Sequence, residues 1–281
     1  MVAAPLTWQF GTHTLVFGSR PLVVGIVNIT PDSFSDGGQF FSTQSAIEHG
    51  LRLVSEGADF LDIGGESSRP GALPVPLDEE LARVVPVVRE LAKQTSIPIS
   101  VDTTKAEVAH QALAAGASII NDITALRGDP EMPTVVRDNR AGLVLMHMQG
   151  TPATMQDKPH YDDIAKDVCE FLAERLSYAI AAGIDRTAIV LDPGIGFGMT
   201  VAHTHELLRR LHELNALGRP IYLGVSRKGF IGEATGRLRP ERVIGSIATA
   251  CYCSARGAAH LWRVHDVAAS VEAAKMLEAL G

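Results

Sequence analysis

A chain of 281 residues with 46% hydrophobic content buries a large core, and it fits either one α/β barrel or two smaller domains. Its formal net charge of -7, from 25 Lys and Arg against 32 Asp and Glu, excludes a general attraction to nucleic acid or to an anionic membrane, so a local basic cluster must meet any anionic ligand. No apolar run approaches the ~18 residues of a membrane span, and residues 1–10 lack the charged start and hydrophobic core of a signal peptide; the expectation is a soluble cytoplasmic protein.

Residues 8–17 hold two short β-prone runs around Gly11-Thr12, which predicts a hairpin within residues 1–20, capping one end of the fold. From Pro21 onward, apolar strand, polar loop and amphipathic helix repeat to the C-terminus without a linker, the pattern of parallel β/α units in a single domain over 1–281. The expected strands are 22–28, 59–63, 97–102, 118–122, 142–147, 188–192, 220–224 and 259–264. Eight such units close a barrel. Between them, stripes such as Leu81, Val84, Val85, Val88 and Leu91, or Leu207, Leu208, Leu211 and Leu214, recur at helical spacing and put one apolar face on the sheet. The last helix carries Val267, Val271, Ala274 and Leu277. An open doubly wound sheet is the competing architecture, but the first strand and helix lack a Gly-x-Gly-x-x-Gly turn. A (β/α)8 TIM barrel preceded by an N-terminal β-hairpin is therefore predicted. Cys169, Cys251 and Cys253 show no metal-ligand spacing and read as free thiols.

Barrel chemistry gathers at the C-terminal ends of the strands, and here those ends are polar: Asn28, Asp62, Asp102, Asn121-Asp122, His147, Asp192, Ser226 to Lys228, and Arg263 with His265. Any one acid can be a turn former, as Asp192 is in Asp192-Pro-Gly, but the recurrence points to a site. Asp102, Asn121 and Asp192 suit a flat heterocycle, because an ionised carboxylate accepts two adjacent N–H groups and Asn both donates and accepts. Three acids can equally hold a metal or serve as acid and base. Ser226-Arg-Lys228 and Arg263-Val-His265 follow the seventh and eighth strands, where such barrels bind phosphate. The loops 28–38 and 64–71 are glycine-rich and polar, and Phe34 exposed within the first suits a lid over a substrate. His203-Thr-His205 sits where a helix begins, and residues two apart on a helix diverge, so it reads as surface. His147 is either a site residue or a core histidine.

These segments identify a family resemblance. Asn28-Ile-Thr-Pro-Asp-Ser-Phe-Ser-Asp-Gly-Gly, Asp62-Ile-Gly-Gly-Glu-Ser-Ser-Arg-Pro-Gly, Val101-Asp-Thr, Asn121-Asp-Ile, Asp192-Pro-Gly-Ile-Gly-Phe-Gly, Ser226-Arg-Lys and Arg263-Val-His-Asp resemble, in order and over nearly the whole chain, the motifs of bacterial dihydropteroate synthases. That resemblance implies a folate-pathway transferase that joins 6-hydroxymethyl-7,8-dihydropterin diphosphate to 4-aminobenzoate with release of diphosphate, and that sulfonamides inhibit. It implies a pterin set of Asp102, Asn121, Ile123, Met146, Asp192, Gly224 and Lys228. It implies a diphosphate set of Asn28, Arg69, Arg263 and His265, with Mg²⁺ as cofactor at Asn28. For the aminobenzoate pocket and its loops it implies Thr30, Pro31, Phe34, Ser67, Ser68, Arg69, Pro70 and Phe197, and for catalysis Lys228, Arg263, His265 and Asp102.

The sequence departs from the family pattern at Met199, where many relatives carry lysine, and at Gly229, where many carry serine. The aminobenzoate carboxylate is then expected to rely on backbone N–H groups at the start of the following helix. Small-molecule substrates are the expected partners, together with a homodimer through the small-residue stretch 245–255. The competing readings are a pterin-binding methyltransferase barrel, a pterin-binding relative without activity, and a metal-dependent hydrolase using His203 and His205.

Overall fold

The computed structural model of the chain describes residues 6–29, 39–69 and 71–281. It opens with a hairpin, β1 (Thr7–Phe10) and β2 (His13–Val16), paired antiparallel about Gly11-Thr12. Parallel strands then alternate with helices: β3 (Leu22–Asn28), α1 (Gln39–Ser55), β4 (Phe60–Gly64), α2 (Leu77–Gln94), β5 (Ile99–Asp102), α3 (Ala106–Ala115), β6 (Ile119–Asp122), α4 (Met132–Asp138) and β7 (Gly142–Met146). The second half continues with α5 (Ile164–Ala181), β8 (Ile189–Asp192), α6 (Val201–Arg210), β9 (Tyr222–Leu223), α7 (Gly229–Thr235), α8 (Val243–Ser254), β10 (Leu261–Val264) and α9 (Val267–Leu280). Among the described residues the sheet order is β8-β7-β6-β5-β4-β3-β10-β9, and a parallel bridge between Leu191 and Ile221 joins its two edges. The sheet is a closed (β/α)8 barrel.

The period of two along each strand divides the residues between two cores. Val23, Val27, Leu61, Ile63, Val101, Ile120, Leu143, Leu145, Leu191 and Leu223 point outward into the layer between barrel and helices. Val24, Phe60, Ile119, Val144, Val190, Tyr222 and Leu261 point inward at the N-terminal end of the barrel, and Trp8 and Phe10 of the hairpin complete that cluster. Trp8 Nε1 donates to Ala188 O at 2.8 Å, which seats the hairpin against that end. The hairpin is thus the plug that the sequence predicts. Continuing up the same inward faces, most strands deliver a polar residue to the opposite end, whereas β7 delivers Met146.

The helical stripes fall as their spacing requires: Val84, Val85, Val88 and Leu91 of α2 are buried, as are Leu207 and Leu208 of α6 and Val267, Val271 and Ala274 of α9. The seventh strand is shorter than the 220–224 predicted, since only Tyr222–Leu223 makes ladder pairs. No described helix is long and apolar enough to cross a membrane. Cys169, Cys251 and Cys253 are free thiols.

Candidate active site

The C-terminal ends of the strands surround a cavity of about 740 Å³. Asn28, Asp102, Asn121, Met146, Asp192, Gly224, Ser226, Lys228, Arg263 and His265 all line it. A buried charge network forms its floor. Arg263 projects from β10 and donates through Nε to Asp62 Oδ2 at 2.6 Å and through Nη2 to Asp102 Oδ2 at 2.9 Å. Asn121 Nδ2 donates to the same Asp62 oxygen at 3.2 Å, while Asn121 Oδ1 has no partner among the described residues. An unpaired buried acceptor beside partly open carboxylates is a set of sockets for ligand N–H groups.

Burial pushes the Asp102 carboxyl up to about 7 although Arg263 opposes the shift, and it pushes Asp192 up to about 6 against the pull of Lys228. Burial also brings the Lys228 ammonium down to about 8, with Asp192 holding it up. Asp62 and Asp102 outweigh the desolvation of Arg263 and hold it firmly charged.

Asp192 ends β8 at the turn that the sequence singles out. Gly194 N donates to Asp192 Oδ1 at 2.7 Å, which fixes the carboxylate and leaves Oδ2 toward Gly224. Gly194 lies at φ +64°, and a Cβ there would stand 1.8 Å from His147 O, so this close approach requires glycine. Past the turn, Phe197 comes under Lys228, whose Nζ lies 4.6 Å from the ring centroid and also donates to Ile195 O. Lys228 itself follows Arg227, a non-glycine residue at φ +58°. Arg227 is held in that left-handed turn by a bidentate pair with Asp266 and by donation of its N–H to Ser246 Oγ at 2.9 Å.

His265 Nδ1 lies 3.0 Å from Ser226 Oγ, which also accepts from His265 N at 3.1 Å. A hydroxyl that donates its proton to Nδ1 sets the neutral imidazole as the Nε2–H tautomer. Burial first, then Arg263, Arg227 and Arg239, keep the ring neutral, with its pKa down at about 3.

The root of the second loop is anchored from below. Arg83 Nη1 donates to Gly65 O at 2.7 Å, and Lys105 bridges Glu66 and the buried Glu80. Ser67, Ser68 and Arg69 thereby reach the cavity wall.

The chain of motifs has a counterpart among known proteins. Residues 24–265 match the family model described as "Pterin binding enzyme". The dihydropteroate synthase of Neisseria meningitidis serogroup B is 48% identical over 280 residues, covering 98% of this chain and 97% of the relative. The chain belongs to the dihydropteroate synthase family. Among solved structures, the Xanthomonas albilineans dihydropteroate synthase with 4-aminobenzoic acid superposes with a TM-score of 0.91 at 50% identity, covering 99% of this chain and 98% of that one. The Yersinia pestis dihydropteroate synthase with a sulfonamide drug complex gives a TM-score of 0.91 at 43% identity, covering 98% of each chain.

Within this dihydropteroate synthase fold, the sequence-predicted residues Asn28, Ser67, Ser68, Arg69, Asp102, Asn121, Ile123, Met146, Asp192, Phe197, Gly224, Lys228, Arg263 and His265 meet in one cavity. Thr30, Pro31, Phe34 and Pro70 lie outside the described residues, as does the lid expected over most of 28–38. His147 is not brought to the site: it is buried, edge-on to Phe171 at 4.9 Å, and is the core histidine of its two readings. His203 does not converge with His205 on a metal; its N–H donates to Thr200 Oγ1 at 3.1 Å and its Nδ1 accepts from Thr200 N at 3.3 Å, capping α6.

Sequence reasoning missed Met155 and Gln156, which the β7–α5 connection brings to the wall, where Gln156 Nε2 donates to Gly196 O at 3.0 Å. It also missed Arg239 and Arg242, which lie on the connection between α7 and α8 and line the cavity. The basic composition of 237–242 was the available signal.

Proposed function

We propose that the chain, as a single domain, condenses 6-hydroxymethyl-7,8-dihydropterin diphosphate with 4-aminobenzoate to give 7,8-dihydropteroate and diphosphate, a step of folate biosynthesis. One observation carries the reading: a single cavity of about 740 Å³ joins heterocycle acceptors, Asp102, Asn121 and Asp192, to the cations Lys228 and Arg263. Asp192 Oδ2 and Asn121 Oδ1 take the pterin's ring and exocyclic N–H groups, and Ile123 and Met146 form the slot walls. Lys228 has three donors, so it serves the ring carbonyl while retaining Ile195 O. Asn28, Arg69, Arg263 and His265 face the diphosphate. Phe197, Ser67 and Ser68, with Thr30, Pro31, Phe34 and Pro70, build the aminobenzoate pocket, where sulfonamides compete.

The reaction is dissociative. The bond between the exocyclic methylene and the diphosphate oxygen breaks, with its electron pair leaving on oxygen. Arg263 and the His265 Nε2–H meet that developing charge in a preorganised, dry setting. The dihydropterin ring spreads the positive charge left on the methylene, and Asp102 and Asp192 hold the ring's N–H groups. The amine nitrogen then supplies the pair for the new C–N bond and loses one proton, which passes to the released diphosphate. No nucleophilic side chain is required, because a neutral aromatic amine needs positioning and capture rather than activation.

Mg²⁺ fits Asn28. Its amide is a hard oxygen donor with no hydrogen bond among the described residues, and Oδ1 lies beside Gly64 and Asp102 at the cavity edge. Among the described residues no cluster of three or more His, Cys, Asp or Glu suited to a metal occurs, so Asn28 would hold the ion and substrate phosphates would supply further oxygens. When bound, Mg²⁺ would neutralise charge on the leaving diphosphate. A cytoplasmic homodimer completes the reading; the outer face of α8 carries Ile244 at 83% exposure and Tyr252 at 43%, apolar area suited to a second copy.

The deciding experiment incubates the protein with the pterin diphosphate, 4-aminobenzoate and Mg²⁺ and measures dihydropteroate and diphosphate together. Equimolar products are expected. Diphosphate release that strictly requires bound aminobenzoate would replace the dissociative route by direct displacement, and absence of dihydropteroate would overturn the assignment.

A further inference from the structure

We propose that Arg239 anchors the carboxylate of 4-aminobenzoate and so sets the preference of this chain for an anionic arylamine; this rests on the condensation proposed above. The para geometry of the substrate dictates where to look. Its amine must reach the pterin methylene, so its carboxylate points away from the barrel floor, past the Phe197 and Lys228 wall and toward the mouth. There the first turn of α7 offers no polar or charged side chain: it reads Gly-Phe-Ile-Gly, and a Cβ built on Gly229 would meet nothing within 4 Å. Met199 is apolar and 4% exposed, packed into the outer core. The positive partner must come from elsewhere.

The segment 237–242 lies across this opening. Arg242 fastens it there, donating through Nε to Arg237 O at 3.0 Å and through Nη1 to Arg227 O and Lys228 O at 3.2 Å each. Glu241 N donates to Leu238 O at 3.0 Å and closes the turn that carries Arg239. Arg239 therefore lines the cavity together with Arg69, Arg227 and Arg242. Two of these guanidiniums are engaged, Arg227 by Asp266 and Arg242 by three carbonyls, and Arg69 is the one given above to the diphosphate. The Arg239 guanidinium makes no hydrogen bond or ion pair among the described residues. Its neighbours are cations, and after burial it is Arg69, Arg227 and Arg242 that weaken its hold on its proton. An unpaired guanidinium pressed among like charges gains most from a planar carboxylate, which it meets with two parallel N–H bonds. In a chain of net charge -7 this gathering is the local basic cluster that an anionic substrate needs.

Steady-state kinetics on the whole protein with saturating pterin diphosphate and Mg²⁺ tests the anchor, using 4-aminobenzoate and its neutral analogue 4-aminobenzamide. Arg239→Gln should raise KM for 4-aminobenzoate about tenfold, the scale of one lost charged hydrogen-bond pair, while KM for 4-aminobenzamide moves less than about twofold. Arg239→Lys should recover part of the loss. Equal shifts for both amines, or a raised KM for the pterin diphosphate, would mean that Arg239 shapes the loop or serves the other substrate and would overturn the anchor. An unmoved KM for 4-aminobenzoate would overturn it as well. Turnover by the unaltered protein separates the two levels: without dihydropteroate both the activity and the anchor fall, whereas product with an unmoved KM in Arg239→Gln removes the anchor alone.

Discussion

Arg263 Nε lies 2.6 Å from Asp62 Oδ2, and that oxygen also accepts from Asn121. One fully buried carboxylate thus aims both a diphosphate-facing cation and a pterin-facing amide, although Asp62 itself is absent from the cavity lining. Asp62→Asn should cost about 3 kcal/mol of stability, since breaking a buried pair leaves Arg263 with only Asp102. Urea denaturation reads that cost. The same variant should lower kcat more than it raises KM for aminobenzoate, because Arg263 acts on the charge of the departing group. Stability within 0.5 kcal/mol of the unaltered protein (roughly the noise of a surface change) would show that the pair does not hold the floor.

The protonation states at the pterin face set a pH window. With burial raising Asp192 to about 6, its carboxylate is lost as an acceptor below that pH. With burial lowering Lys228 to about 8, its ammonium is lost as a donor above that pH. Asp102, which burial raises to about 7, is lost as an acceptor before Asp192 as the pH falls, so pterin affinity should peak between that value and the Lys228 limit, and titration calorimetry with a pterin across pH 5–9 reads both limbs. Asp192→Asn should weaken binding by about 1.5–3 kcal/mol and leave the acid limb that Asp102 sets, since burial raises that carboxyl to about 7. A variant that keeps full affinity would remove Asp192 from the pterin set.

Much of this was legible in the sequence because a closed barrel repeats one rule eight times. Leu22–Asn28 coincides with its predicted bounds, and polar residues such as Asp102 and Asp192 at the last position of their strands, and Asn121 one before it, stand where the period of two turns them inward. The hairpin was visible from its two β-prone runs, and in the structure Trp8 and Phe10 bury themselves in the inward cluster at that end. What remained illegible depends on contacts between distant segments. Nothing near Glu80 reveals that it is buried and paired with Lys105 beneath the second loop. Nothing near Arg239 reveals that Arg242 folds its turn back onto the start of α7. His147 looked like its neighbours at the strand ends, yet the chain turns one residue earlier and sends it into the α5 interface.

Gly194 offers a test of the turn behind Asp192. At φ +64° an alanine is strained, and its Cβ would collide with the backbone carbonyl of His147, which cannot rotate away. Gly194→Ala should cost about 3 kcal/mol or more, combining left-handed strain with a backbone clash. It should also displace Asp192 Oδ1 from the Gly194 N–H. Thermal unfolding checks the first effect and pterin affinity the second. A stable variant with normal affinity would mean that the turn relaxes freely.

The root of the second loop provides another. Glu80 is 1% exposed, accepts from Thr103 Oγ1 at 2.7 Å and pairs with Lys105, which in turn holds Glu66. Glu80→Ala should destabilise the protein by about 3 kcal/mol, the scale of a broken buried pair. With Glu66 released, Ser67 to Arg69 lose their anchorage and KM for aminobenzoate should rise, while pterin affinity holds because the barrel floor is untouched. An equal loss of pterin binding would place the network in global stability alone.

Ser226 and His265 carry the last prediction. Ser226 Oγ accepts the His265 N–H at 3.1 Å and lies 3.0 Å from Nδ1; donation of its own proton to Nδ1 is expected to leave Nε2 as the proton-bearing atom. The ring stays neutral because burial and the arginines around it bring its pKa down to about 3, so its contribution to the diphosphate is a directed N–H rather than a full charge. Ser226→Ala removes that direction without emptying the pocket, and the imidazole is free to carry its proton on Nδ1 and to present a lone pair to an anion. Diphosphate affinity should fall by about 1 kcal/mol, one neutral hydrogen bond, and calorimetric titration with inorganic diphosphate in the presence of Mg²⁺ measures it. Nuclear magnetic resonance of the ring nitrogens should show the Nε2–H form dominant in the unaltered protein and mixed in Ser226→Ala. A ring that keeps one tautomer in both proteins would mean that another partner sets it, and His265 would then act on the leaving group independently of Ser226.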